Sequence, residues 1–176
     1  MNYKDQHITL TRKDITAGYY DAMELVSPLW WSVSIYDGKA RYDADLEPFT
    51  PAQRAALAVL WLDAEVNNGG FYQFFSNSTG IVWEDALNGF RLFGLNRLAL
   101  ILEDVLAQWG SDVPFERSAR NAHLDAHEEL GFDANDSAYY DCDEDIDGAI
   151  VQYAAAHPEE FVFDGQVRMP ETMLRG

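Results

Sequence analysis

Basic residues are scarce in this chain. Twelve lysines and arginines face thirty aspartates and glutamates, which leaves a formal net charge of -18. A small domain stays soluble with a net charge of only about 2 to 8, and a larger surplus repels itself. Nucleic acid and anionic membrane are therefore poor partners. A basic protein or a cationic ligand is a better one, with general solubility or a high-salt habitat as the plainer account. Cysteine is scarcer still: Cys142 stands alone, so no internal disulfide can form. No stretch approaches about 18 uninterrupted apolar residues, so nothing is expected to span a membrane. The opening MNYKDQHITLTRKD lacks the apolar core of a signal peptide. The expected location is cytoplasmic.

Sustained period-two alternation is also missing, while spacings of three and four recur. With 48% apolar and 14% aromatic residues the chain has the means to fold, despite its charge. The expectation is an all-α fold: a single globular domain over residues 1–176, with about six to eight packed helices. Residues 1–10 read as an extended arm and residues 165–176 as a loosely packed tail. Ile15, Tyr19, Ala22, Met23 and Val26 put one helix over residues 11–26, ended by Pro28. Residues 29–43 read as a loop with a short helix, with a hairpin at Asp37-Gly38 as the alternative. Thr50, Pro51 and Gln53 form a capping-box start for a long buried helix, which Gly69 and Gly70 should stop. Further helices are expected over residues 71–76, 81–93, 95–109, 115–130 and 144–156. Gly131 would be a C-cap, and residues 133–143 a turn-rich acidic stretch.

Familiar chemical motifs are absent or incomplete. The glycines of NNGGFYQFFSNSTG carry no GK[ST], and no GxGxxG follows a strand, so a phosphate cradle is not supported. Asp143, Asp145, Asp147 and Gly148 fit the start of a calcium loop, but its ninth and twelfth positions are Val151 and Ala154. Aspartates in a first helical turn explain them better. His123 and His127 are four apart, yet a zinc site needs further ligands from Cys142 or His157. Acidic surroundings disfavour a Cys142 thiolate. Asp63 and Glu65, two apart on a helix, do not face one another. The reading is therefore a protein without cofactor, metal or catalytic constellation.

The acid is concentrated. Between Arg120 and Arg168 there is no lysine or arginine, and thirteen carboxylates lie in that interval. Asp125, Glu128, Glu129, Asp133, Asp136, Asp141, Asp143, Glu144, Asp145 and Asp147 are the candidates for a partner-binding acidic surface. Duplex DNA carries one charge per roughly 1.7 Å of axis, and a face of carboxylates could approach that density.

The run from Glu65 to Asn77, EVNNGGFYQFFSN, resembles the signature of a bacterial DNA-mimic protein family, typified by a small acidic DNA-mimic protein of Neisseria. The similarity continues in residues 136–140 and in YAAAHPEEFV, and covers about residues 15–163. Asn67, Gly69, Gly70, Phe71, Gln73, Phe74, Phe75 and Asn77 transfer as structural signature positions only. The resemblance implies a helical fold, a homodimer and an acidic surface that occupies the DNA-binding face of a basic protein, such as a helix-turn-helix transcription factor. Direct nucleic-acid binding is not expected. An acidic scaffold or interaction protein without mimicry is the alternative, and an uncharacterised enzyme a more distant one. Within the signature, one glycine should adopt positive φ, the three phenylalanines should share one buried face, and Gln73 and Asn77 should tie down the following loop.

Overall fold

A computed structural model describes residues 3–110, 112–127 and 130–170. Among these residues there are nine α-helices: α1 (Arg12–Thr16), α2 (Ala22–Trp30), α3 (Lys39–Leu46), α4 (Pro51–Ser76), α5 (Trp83–Leu92), α6 (Asn96–Gln108), α7 (Arg117–Ala126), α8 (Asp133–Tyr140) and α9 (Ile146–Ala156). Short 3-10 turns cover Ser78–Val82 and Pro158–Glu160. The chain is thus mostly helical but not all-α, and its helices outnumber the six to eight expected.

The departure is a two-stranded antiparallel sheet. Strand β1 (Tyr3–Leu10) pairs with β2 (Phe163–Pro170), from Tyr3 opposite Pro170 to Leu10 opposite Phe163. Residues 3–10 of the expected arm and the tail as far as Pro170 are therefore partners of each other. Strand β1 is exposed as far as His7, so it lacks the alternation that marks a half-buried strand, whereas β2 alternates from Phe163 to Met169, with Val167 buried between exposed neighbours. Polar contacts also assist the ladder. His7 Nε2 lies 2.6 Å from Asp164 Oδ1, and the Thr9 hydroxyl donates to the same oxygen at 3.2 Å.

The region read as one helix over residues 11–26 is two. Thr11 caps α1 by accepting from the Asp14 N–H, and Gly18 turns the chain at φ 67°. Asp21 and Glu24 then form a reciprocal capping box that starts α2. Pro28 lies inside α2 rather than beyond it. Proline leaves the carbonyl four residues earlier without its N–H, and the Ser27 hydroxyl takes over that Glu24 carbonyl at 2.8 Å. Asp37-Gly38 makes no hairpin: Gly38, at φ 83°, leads into α3.

The capping box at Thr50 and Gln53 forms as expected, with both reciprocal bonds present at 3.1 and 3.0 Å. From it runs α4, the most buried element. Ala56, Leu57, Ala58, Val59, Leu62 and Val66 are fully inaccessible, within a contiguous cluster that extends from Leu10 to Phe161. Helix α7 ends at Ala126, so Gly131 is not its cap. The stretch expected to be turn-rich is helical as α8, whose Tyr139 is buried.

Candidate functional site

The glycine corner comes first because it positions the acidic segment. Inside α4 the helical path breaks at Gly69 (φ -167°, ψ 27°) and Gly70 (φ 75°, ψ -179°). Gly69 is extended backbone open to any residue. Gly70 occupies a region that is essentially glycine-only, which places the expected positive φ. Phe71, Phe74 and Phe75 are all fully buried. Phe71 meets Tyr139 edge-on at 5.6 Å, and Phe75 meets Trp109 at 5.2 Å.

A break in a buried helix orphans carbonyls on one side and N–H groups on the other. Helix α8 supplies partners for both. Asp136 Oδ1 accepts from the Phe71 N–H at 2.8 Å. The Tyr140 hydroxyl donates to the Val66 carbonyl at 2.9 Å. The Tyr139 hydroxyl donates to Asp63 Oδ1 at 3.0 Å, and burial, then the Asp63 charge, push its pKa up. Asn67 Nδ2 donates to the same Asp63 oxygen at 2.8 Å and to the Asp63 carbonyl at 2.9 Å. The two stretches that carry the sequence resemblance, 65–77 and 136–140, are thus stitched together in space.

Gln73 and Asn77 do not tie down the next loop. Both side-chain amides donate back to Glu65 Oε2, at 2.8 and 3.0 Å, and brace the second part of α4 against the first. The loop is held instead by Arg120, which is wholly inaccessible. Its Nε donates to the Phe75 carbonyl and its Nη2 to the Asn77 carbonyl, both at 2.8 Å, while Nη1 reaches the Pro114 and Phe115 carbonyls. Burial, then nearby Arg117, lower the guanidinium pKa to about 10, so it is charged at neutral pH. A cation at the last carbonyls of a helix also meets the negative end of its dipole. Nothing in composition or spacing marks Arg120 or Glu65 for these roles.

The ten candidate surface carboxylates divide by environment. Glu128 and Glu129 lie outside the described residues. Asp136 and Glu144 are half-buried and anchored. Glu144 accepts from the Arg97 and Leu98 N–H groups at 3.1 and 3.0 Å, capping the start of α6. Asp145 caps α9 through the Gly148 N–H at 2.9 Å, and Asp147 accepts from the Ala22 N–H of α2 at 2.9 Å. Asp143 pairs with Arg97, whose Nε is also 3.8 Å from Glu144. Asp125, Asp133 and Asp141 are exposed, and no described cation lies within 4.0 Å of them.

Among the described residues, no group of three or more His, Cys, Asp or Glu side chains could hold a metal ion. The aspartates that fit the start of a calcium loop are spent on helix starts and on Arg97. The His123 and His127 rings stack on each other at 4.2 Å, and His123 stacks on Trp109 at 4.5 Å. No described helix is long and apolar enough to cross a membrane.

Against known proteins, a family model described as DMP19-like protein matches residues 47–157. That interval runs from the start of α4 to the end of α9, so it holds the glycine corner and α8, and it excludes both strands. No curated protein and no solved structure matches the chain.

Proposed function

The chain belongs to the DMP19-like protein family, and from that premise we propose that it is a DNA mimic. In this reading its acidic surface covers the DNA-binding face of a basic protein, a helix-turn-helix transcription factor being the natural type, and keeps it from DNA. The chain works as a homodimer, which doubles the charge on offer. The partner-facing groups are the displayed carboxylates Asp125, Asp133 and Asp141, extended by Asp143, Glu128 and Glu129. Asp136, Glu144, Asp145 and Asp147 hold the scaffold that presents them.

The observation that carries the proposal is the cation-free interval between Arg120 and Arg168 in a chain of net charge -18. Carboxylates without nearby cations repel one another, and a basic surface relieves that repulsion when it docks. Attraction of this kind is screened within about 10 Å at 0.1 M salt, so binding weakens steeply as salt rises.

The test is capture from a bacterial lysate on immobilised chain at low salt. The DNA-binding protein retained should be released both by added salt and by its own duplex DNA. The triple variant Asp125→Asn, Asp133→Asn, Asp141→Asn should fold and fail to retain it. Equal capture by the triple variant, or release by salt but not by the duplex, overturns the reading. The same experiment separates mimicry from the scaffold alternative, which the anchoring of four of the ten carboxylates favours.

A further inference from the structure

The groove beside the glycine corner carries chemistry that an acidic docking surface does not use. Glu65 and Arg117 line one cavity of about 250 Å3, together with Asn77, Ser78 and Tyr36. These opposite charges do not pair, since no Arg117 nitrogen lies within 4.0 Å of a Glu65 oxygen. Each is held in place by another group. Glu65 Oε2 accepts from Gln73 and Asn77, and Arg117 Nε donates to the Ser76 carbonyl at 2.8 Å. Glu65 Oε1 and the two terminal nitrogens of Arg117 carry no hydrogen bond to the described protein.

Opposite charges fixed apart on the walls of a small cavity complement a zwitterion. A ligand ammonium matches the acceptor-only carboxylate of Glu65, and a ligand carboxylate matches the planar donor fork of Arg117. The volume lies below the roughly 300–1,000 Å3 of drug-sized ligand pockets, which limits the occupant to a small metabolite. A second cavity of about 270 Å3 shares Ile35, Tyr36, Ser78 and Arg117 with the first, and adds Gly38, Ile81, Phe115, Glu116 and Arg120. Ile35, Ile81 and Phe115 supply its apolar part, which suits a hydrocarbon side chain.

We propose that this groove binds a free α-amino acid with an apolar side chain: ammonium on Glu65, carboxylate on Arg117, side chain against Ile35, Ile81 and Phe115. The inference does not rest on mimicry, because none of these residues belongs to the displayed acidic surface.

Isothermal titration of the full chain with each of the twenty standard L-amino acids tests it, followed by the N-acetyl and methyl-ester forms of the tightest binder. Saturable binding should favour leucine, isoleucine, methionine or phenylalanine, and either blocked form should bind at least tenfold more weakly. Glu65→Gln should also lose at least tenfold. Because one carboxylate oxygen takes both amide bonds, a glutamine carbonyl can accept them unchanged while the charge is removed. Arg117→Gln should lose a similar factor. No saturable binding by any amino acid overturns the proposal, as does undiminished binding of the blocked forms or by both variants. So does a preference for charged side chains. The blocked forms report on the unaltered chain, so the result stands even where a variant fails to fold.

Discussion

Asp136 accepts a 2.8 Å hydrogen bond from the backbone N–H of Phe71, one residue beyond the glycine pair that breaks α4. A member of the acidic segment therefore acts as the N-cap that the sequence around Phe71 lacks. Removing the acceptor leaves a buried N–H unsatisfied, at a cost of about 1–3 kcal/mol. Asp136→Ala should lose about that much in urea denaturation, while Asp136→Asn, which keeps an acceptor oxygen, should lose less. Equal stability of Asp136→Ala and the parent would show that the cap contributes nothing.

The two glycines should respond differently to the same change. A Cβ on Gly70 adopts a forbidden backbone region, worth about 1–3 kcal/mol, and would lie 2.3 Å from Asp136 Oδ2. That oxygen belongs to a carboxylate already pinned to Phe71. A Cβ on Gly69 meets Gln73 Oε1 at 2.1 Å, but there the backbone is extended and the obstacle is the end of a flexible side chain. Gly70→Ala should therefore destabilise more than Gly69→Ala by thermal or urea denaturation. The reverse order would mean that the Gln73–Glu65 brace matters more than the corner.

How much of this was legible in the sequence differs by element. The start of α4 was, because Thr50, Pro51 and Gln53 meet local chemical requirements that no distant contact needs to supply. The corner was too, since only glycine suits the geometry at Gly70. The strands were not. Their pairing is long-range, from Tyr3 to Pro170, and β1 is exposed over most of its length, so the short alternation of β2 has no matching pattern in its partner. Nor was α8: its aspartates suggest turns, and only the orphaned groups of α4 explain why Asp136, Tyr139 and Tyr140 are wanted in a helix. The acidic segment was visible as charge, but its division into anchored and displayed groups depends on N–H groups contributed by α2, α4 and α6. The Glu65–Arg117 groove had no sequence signal, because fifty-two positions separate the two residues.

Alkaline pH offers a test of the buried phenols. Tyr42, fully inaccessible and donating to Asp85 at 2.8 Å, and Tyr139, donating to Asp63, both have pKa values raised chiefly by burial. A phenol raised in the folded state releases its proton more readily when unfolded, so its contribution is complete below about pH 10 and declines above it. Arg120 has the opposite sign, because its lowered pKa relieves a cost as pH rises from about 10. Tyr153, raised by burial and then by Glu160, acts in the same direction as the two buried phenols, so three groups oppose one and stability falls above pH 10. Ultraviolet titration should find these two phenols un-ionised until the chain unfolds. Tyr42→Phe and Tyr139→Phe should each flatten the decline, and an unchanged slope in both would refute this account.

The acidic segment should split into two classes under single substitution. Glu144 holds two N–H groups at the start of α6. Losing a helix-start acceptor costs about 0.5–2 kcal/mol, and its charge also complements the positive end of the helix dipole. Glu144→Ala should therefore lower the unfolding midpoint measurably. Asp141 is exposed and has no described cation within 4.0 Å, so Asp141→Asn removes repulsion without removing a bond. Its midpoint should hold steady or rise, most visibly at low salt, where repulsion is least screened. If Asp141→Asn lowers the midpoint as far as Glu144→Ala does, the displayed carboxylates are structural too. A surface that the fold itself consumes would then have no spare charge to offer a basic partner.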